Sequence, residues 1–248
     1  MDKIHWKGEN RMIMAGSQPY FMPYLGYWQL INAVDVFSIG DDYNYIKGGW
    51  INRNRILQNK KVEFITVEVA QASSNKNICE LFLSDVYQVE KKMNQLQVAY
   101  QKAPYYQEGM ALMRRILECK ERNLADFLEH SIRCVCDYLD IKTKIVRSSF
   151  VPGNTELKRE YRIFDQCKYW GADTYLNAIG GRELYDYDQF REHGIRLGFI
   201  QSGDICYKQF GQEFISHLSM IDVIMFNSPE EIRRMLNQYT ILWDESAL

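Results

Sequence analysis

Apolar and polar positions along the chain follow two periods, and the order in which those periods appear predicts the fold. Arg11–Gly16 (RMIMAG) is a short apolar run closed by glycine, and Ser17-Gln18-Pro19 ends it because the residue before a proline avoids helical backbone. From Tyr24 to Val34, the residues Leu25, Trp28, Leu30, Ile31 and Val34 recur at helical spacing, with Pro23 placed at the first turn. Val36–Gly40 (VFSIG) is again compact and β-rich. Strand, proline-containing loop, helix and strand in this order make a βαβ unit.

Lys61–Val69 (KVEFITVEV) alternates with β-branched residues dominating and reads as one more strand. Helical periodicity then takes over across Val86–Lys102, Tyr106–Cys119 and Asn123–Leu139, the last opening on an asparagine suited to capping. Lys144–Ser148 resumes β character, Leu157–Trp170 is helical, and Ala172–Ile179 is a strand ending at Gly180-Gly181. Tyr187–His193 is a short helix that Gly194 can close, Ile195–Gln201 is a strand, and Ser216–Phe226 and Pro229–Tyr239 are helices. The expected fold is a single α/β domain over residues 1–248, with a mainly parallel, Rossmann-like sheet, flanking helices and a mostly helical insertion over about 86–139. Its expected strands are Met12–Ala15, Val36–Ile39, Lys144–Val146, Tyr175–Asn177 and Leu197–Ile200.

Composition narrows the function. With 46% hydrophobic and 25% charged residues the chain is an ordinary globular one. A formal net charge of −2 supplies no bulk positive field, which argues against nucleic acid or an anionic membrane as partner. No apolar run approaches the roughly 18 residues of a membrane span, and the polar start MDKIHWKGENRMIM lacks a secretory apolar core, so a cytoplasmic location is expected. The six cysteines then read as free thiols; they contain no C-x-x-C pair, and no histidine has a metal-spaced partner.

In parallel sheets ligands gather beyond the carboxyl ends of the strands, so four loops are the places to look for chemistry. Ser17–Tyr24 offers the Gln18 amide and aromatic faces before a helix start. Asp41 and Asp42 are adjacent carboxylates able to divide acid and base roles. Gly48–Arg55 carries Trp50 for stacking and Arg53 or Arg55 for a phosphate. Asn177–Tyr185 places Gly180 and Gly181 where bare backbone N–H groups can approach an anion.

At these same residues the chain resembles the WbqC-like family. QPYFMPYLGYWQLINAVDVF, the following acidic pair, GGWINRNRI, GADTYLNAIGGRELY and YKQFGQEFISHLSMIDVIMFNS carry the likeness, which spans nearly the whole chain. The resemblance adds Asn52 and Asn54, Asn75 and Lys76, and Tyr207, Gln209, Ser219, Asp222 and Asn227 to the motif positions. Two departures are the long extension through Asn10 and His217, where an aromatic residue is usual. What the resemblance implies is a role in O-antigen or other surface-polysaccharide synthesis, with glycyl transfer to an amino sugar the activity suggested for the family. The opening also looks like that of nucleotidylyltransferases, but both histidines of their motif are missing here.

The expectation that follows is an N-acyltransferase joining an aminoacyl group, glycyl first, to the amine of a nucleotide-linked amino sugar. Asp41 or Asp42 is the expected base, Gln18 or Asn52 the oxyanion donor, Arg53 the diphosphate ligand and Trp50 or Tyr20 the stacking ring, with Asn54, Lys76, Asn177, Gly180, Gly181, Tyr207 and Gln209 completing substrate binding. No tightly bound cofactor is expected. The acyl donor is open among coenzyme A, a carrier-protein thioester, an aminoacyl adenylate and aminoacyl-tRNA, and an acyl carrier protein is the expected protein partner in the second case. The alternatives are a non-catalytic nucleotide-sugar-binding protein of polysaccharide assembly and a nucleotidyltransferase-like enzyme.

Overall fold

Successive residues of the first strand, β1 (Ile13–Ser17), face opposite ways, and that alternation organises the molecule. Ala15 turns toward the first helix, α1 (Leu25–Asn32), and Met14 toward the other face of the sheet. In this computed structural model, which describes residues 11–211 and 213–244, the chain continues from α1 into β2 (Val36–Ile39). A long insertion follows. It holds a hairpin of β3 (Arg53–Gln58) and β4 (Lys61–Thr66), a small ladder of β5 (Val69–Ala70) and β6 (Phe82–Leu83), and the helices α2 (Val89–Tyr100), α3 (Tyr106–Leu117) and α4 (Leu124–Leu139). The chain then returns as β7 (Lys144–Arg147), α5 (Glu160–Trp170), β8 (Thr174–Ala178), α6 (Tyr187–Glu192), β9 (Arg196–Ser202), α7 (Met220–Phe226), α8 (Pro229–Met235) and β10 (Tyr239–Trp243).

The main sheet has the order β10-β9-β8-β1-β2-β7, parallel throughout except for β10, which pairs antiparallel with β9. All five expected sheet strands are present, and the three expected helices fill residues 86–139 without a strand among them. Each face has its own core. Ala15, Phe37, Ile145, Leu176 and Ile200 pack with α1, the inserted helices, α7 and α8. Met14, Val36, Val146, Tyr175 and Phe199 pack with α5 and α6 through Ile163, Phe164 and Phe190. A period of two residues therefore sorts the apolar positions into two layers.

Several boundaries differ from those the sequence predicts. Lys61–Thr66 is a strand, but it pairs with Arg53–Gln58 in a hairpin outside the main sheet, closed by Asn59 and Lys60 with φ of 51° and 60°. Arg53 and Arg55 thus belong to a strand and not a loop. Pro23 stands before the capping Tyr24, two positions ahead of the first helical residue. The last helix stops at Met235, and Tyr239 opens β10, because the Trp243 ring packs where Gly198 leaves room on β9. Asn123 caps α4 as expected, accepting from the N–H groups of Ala125 and Asp126 at 2.9 and 3.3 Å.

Candidate active site

Chain order creates the site. From β1 the chain moves to β2 and then β7 on one side, and returns to β8 and β9 on the other, so the direction of winding reverses between β1 and β8. Beyond the carboxyl ends of these strands the crevice is open, as at the switch point of other doubly wound sheets. A cleft of about 710 Å³ lies there, walled by Gly16, Ser17 and Gln18 after β1, Gly40 after β2, Ser148 after β7, and Tyr175 and Asn177 of β8. The helix whose first turn reaches this cleft is α5, through Arg159 and Glu160. The α1 start expected to face an anion is instead bridged at Tyr24 to Ser219.

Beneath the cleft runs a buried polar network. Ser38 Oγ donates to Gln166 Oε1 at 2.7 Å, and Gln166 Nε2 donates to Asn154 Oδ1 at 3.1 Å. Arg162 donates from Nε to the same Asn154 oxygen at 3.1 Å and from Nη2 to Asp42 Oδ2 at 2.5 Å. The other oxygen of Asp42 accepts from Ser148 Oγ at 2.5 Å. Asp41, only 1% exposed, accepts from Ser149 through both its hydroxyl, at 2.7 Å, and its backbone N–H, at 3.2 Å. The two carboxylates expected as the base therefore lie under the cleft, joined to α5 and to the end of β7.

Three charged groups on the cleft wall contrast with this network. Among the described residues, Arg159, Glu160 and Glu183 have no side-chain ion pair, although all three line the cleft. Arg159 adopts φ 52° and ψ −131°, a backbone state that favours glycine. Tyr20, Tyr43, Tyr175 and Tyr185 supply flat walls, and burial pushes each of their hydroxyls up, so they are neutral hydrogen-bonding groups at physiological pH. Tyr43 is fixed from two sides. The Arg162 guanidinium sits 4.4 Å from its ring centre, and a methyl group at Gly40 would come within 2.3 Å of the ring.

Of the residues singled out from the sequence, the cleft brings together Gln18, Tyr20 and Asn177. Gln18 Nε2 also donates to the Asn44 carbonyl at 3.2 Å. Gly180 and Gly181 fall in a 3-10 helix over Ile179–Leu184, with Gly181 against the Asn177 side chain and Glu183 and Leu184 continuing to the cleft. Asn52 and Asn54 are buried and hold backbone: Asn52 donates to the Val67 carbonyl, and Asn54 to those of Phe21 and Met22. The Lys76 carbonyl accepts from the N–H of Tyr45. Tyr207 and Gln209 donate to the fully buried Asp222 at 2.8 Å each, and Tyr100 donates to its other oxygen at 2.9 Å. Trp50 and Arg53 occupy the outer face of the hairpin, where Arg53 lies over Phe64. Tyr43, Arg159, Glu160 and Glu183 were not expected; the signal for the middle two was the LKRE run opening a helix after a strand.

The model of the WbqC-like protein family matches residues 18–234, from the Gln18 loop through α8. The chain belongs to this family. Within the matched span, Gln18 and Asn177 line the cleft, whereas Asn54 and Ser219 both donate to the Met22 carbonyl and Asp222 is buried, accepting from Gln209. The chain is also 30% identical over 216 residues to the uncharacterized protein Rv1507c of Mycobacterium tuberculosis, an alignment covering 85% of this chain and 91% of that protein. No solved structure matches. Among the described residues no helix is long and apolar enough to cross a membrane.

Proposed function

We propose that the cleft binds a nucleotide-linked amino sugar and that the protein transfers an aminoacyl group, glycyl first, to its amine. One observation carries this reading: an unpaired cation, Arg159, and two unpaired carboxylates, Glu160 and Glu183, face a single cleft lined with tyrosine rings. That pattern complements a molecule with an anionic end, a cationic end and a planar ring. Arg159 at the start of α5 pairs with the diphosphate, where the helix N-terminus adds its own attraction. Tyr43 or Tyr20 offers the base a stacking surface.

At the other end the sugar ammonium must lose a proton before nitrogen can attack a carbonyl carbon. In this reading Glu160 or Glu183, both on the cleft wall, takes it, and the Gln18 and Asn177 amides donate to the developing oxyanion. Asp41 and Asp42, tied to Ser149, Ser148 and Arg162, act here as anchors of the cleft wall. Their engagement also favours a second reading, a nucleotide-sugar-binding protein without turnover.

Calorimetry with nucleotide-linked 3- and 4-amino sugars, followed by mass spectrometry after adding candidate glycyl donors, separates the two. The expected result is binding that weakens at least tenfold in Arg159→Gln and on N-acetylation of the sugar, with acylated product formed by the parent protein and lost in one of Glu160→Gln or Glu183→Gln. Binding without product from any donor establishes the second reading, and no binding of any amino-sugar nucleotide removes both.

A further inference from the structure

The net charge of −2 conceals a local excess. Between Asp42 and Glu63 the chain carries Lys47, Arg53, Arg55, Lys60 and Lys61 and no carboxylate. Among the described residues none of these cations forms an ion pair. The hairpin holds four of them. Arg53 and Arg55 alternate on β3 and so project from one face, Arg55 lies opposite Phe64 across the ladder, and the tight turn at Asn59-Lys60 sets Lys60 and Lys61 at the tip.

On the same face the Trp50 and Phe64 rings stay 42% and 43% exposed with their centres 6.2 Å apart. Arg53 lies 4.4 Å from the centre of Phe64 and donates to the Gly48 and Gly49 carbonyls, and Arg55 lies 5.5 Å from the centre of Trp50 and donates from Nη2 to the His217 carbonyl at 2.8 Å, while its Nε is buried without a hydrogen-bond partner. Flat rings among cations with no carboxylate partner match a polyanion whose charges alternate with planar bases: phosphates meet the cations, and bases stack on the rings. An acidic protein surface brings the charge without the regular flat faces, and a duplex hides its bases in the stack. The face also adjoins the cleft. The Phe21 N–H donates to the carbonyls of Trp50 and Ile51 at 3.2 and 3.0 Å, and its neighbour Tyr20 is a cleft wall.

We propose that this hairpin face binds single-stranded RNA and seats the 3′ end of an aminoacylated RNA as the acyl donor. The donor assignment rests on the acyl-transfer reading; the RNA site does not. In the transfer, the amine nitrogen forms a bond to the carbonyl carbon and the ester C–O bond to the ribose breaks. Of the two protons the ammonium gives up, one leaves on the ribose oxygen and the other passes through the cleft carboxylate to solvent.

Fluorescence anisotropy with a labelled single-stranded RNA of about ten nucleotides, against inorganic polyphosphate and a matching duplex, tests the site. With up to five phosphate contacts, affinity should fall with salt on a log–log slope no steeper than about −3.5. Trp50→Ala and Phe64→Ala should each weaken RNA binding about 5- to 100-fold and leave polyphosphate binding and the circular-dichroism spectrum of the folded protein unchanged. Lys60→Gln/Lys61→Gln, at the exposed tip, should make the slope shallower by about 1.4 without unfolding risk. Polyphosphate bound as tightly as RNA, with Trp50→Ala harmless, overturns the proposal, as does RNA binding indifferent to salt or to the tip variant. Transfer of glycine from glycyl-tRNA to the amino sugar supports the donor assignment. Transfer from glycyl-coenzyme A but not glycyl-tRNA overturns that assignment alone. RNA binding without transfer from any donor overturns acyl transfer and leaves the RNA site standing.

Discussion

Arg162 and Asp42 form an ion pair at 2.5 Å with side chains only 9% and 4% exposed, tying the helix that crosses the sheet to the loop at the end of its second strand. A buried pair of this kind is expensive to split, because removing one partner leaves the other charged and unsolvated. Arg162→Met and Asp42→Asn should each lower the unfolding free energy by about 3–5 kcal/mol. The double variant should lose clearly less than the sum, since neither charge is then stranded. Urea denaturation of the four proteins measures this, and additive losses would show that the two side chains do not act together.

Asp222 has no cation opposite it among the described residues; Tyr100, Tyr207 and Gln209 donate to it instead. Burial pushes its carboxyl above the usual value, while the three donors oppose that shift only in part, and burial likewise raises both tyrosines so that they stay neutral. The folded state therefore holds the Asp222 proton more tightly than the unfolded chain does. Stability from this site is fully present below the unfolded value and is lost as pH rises through the folded one. Relative to Asp222→Asn, the parent protein should lose stability from about pH 4 upward, by roughly 1.4 kcal/mol for each unit of upward shift. Parallel stability curves for the two proteins over that range would contradict this.

The thiols should react in a fixed order. Cys206 is exposed, whereas Cys134, Cys136 and Cys167 are buried, and burial pushes the last two up to about 12. At about pH 8 those thiols stay protonated and shielded, and the thiolate is the reactive form. Iodoacetamide followed by peptide mass spectrometry should find Cys206 alkylated first and Cys136 and Cys167 only after unfolding. Replacing all six cysteines should leave ligand binding in the cleft within about threefold, a small effect on the 1.4 kcal/mol-per-decade scale. Early labelling of Cys167 would mean that the α5 side of the sheet opens readily.

Periodicity made the sheet legible because each strand lies between two apolar layers and its neighbours in sequence carry the complementary helical period. Lys61–Thr66 shows the limit. Its alternation announces a strand but says nothing of its partner, and the partner is the Asn/Arg-rich segment read as a loop. β10 was hidden for a similar reason: Tyr239–Trp243 follows a helix with no glycine or proline to mark the change, and its place is set by Gly198 on another strand. At the site, the unusual residues stood out, but their roles depended on what lies opposite. Asp41 and Asp42 look reactive in the sequence, which does not show that Ser149 and Arg162 reach them. Arg159 looks like one more helix-start cation and stands out because no carboxylate among the described residues pairs with it. Local charge was missed because it was averaged over the whole chain.

The central strand also imposes a timetable on synthesis. Met14 pairs with Val36 on one side and with Tyr175 on the other. The first partner emerges from the ribosome almost at once, whereas the second follows the hairpin, the inserted helices and α5. Until then the β8 side of β1 is an uncovered hydrogen-bonding edge, the kind of surface that invites pairing with another chain. The α1 crossover and the inserted helices can settle meanwhile on the opposite face. The cleft, whose walls come from β1 and β8 together, is thus among the last features to form, and a chain cut short before Thr174 has an exposed sheet edge and only part of the cleft.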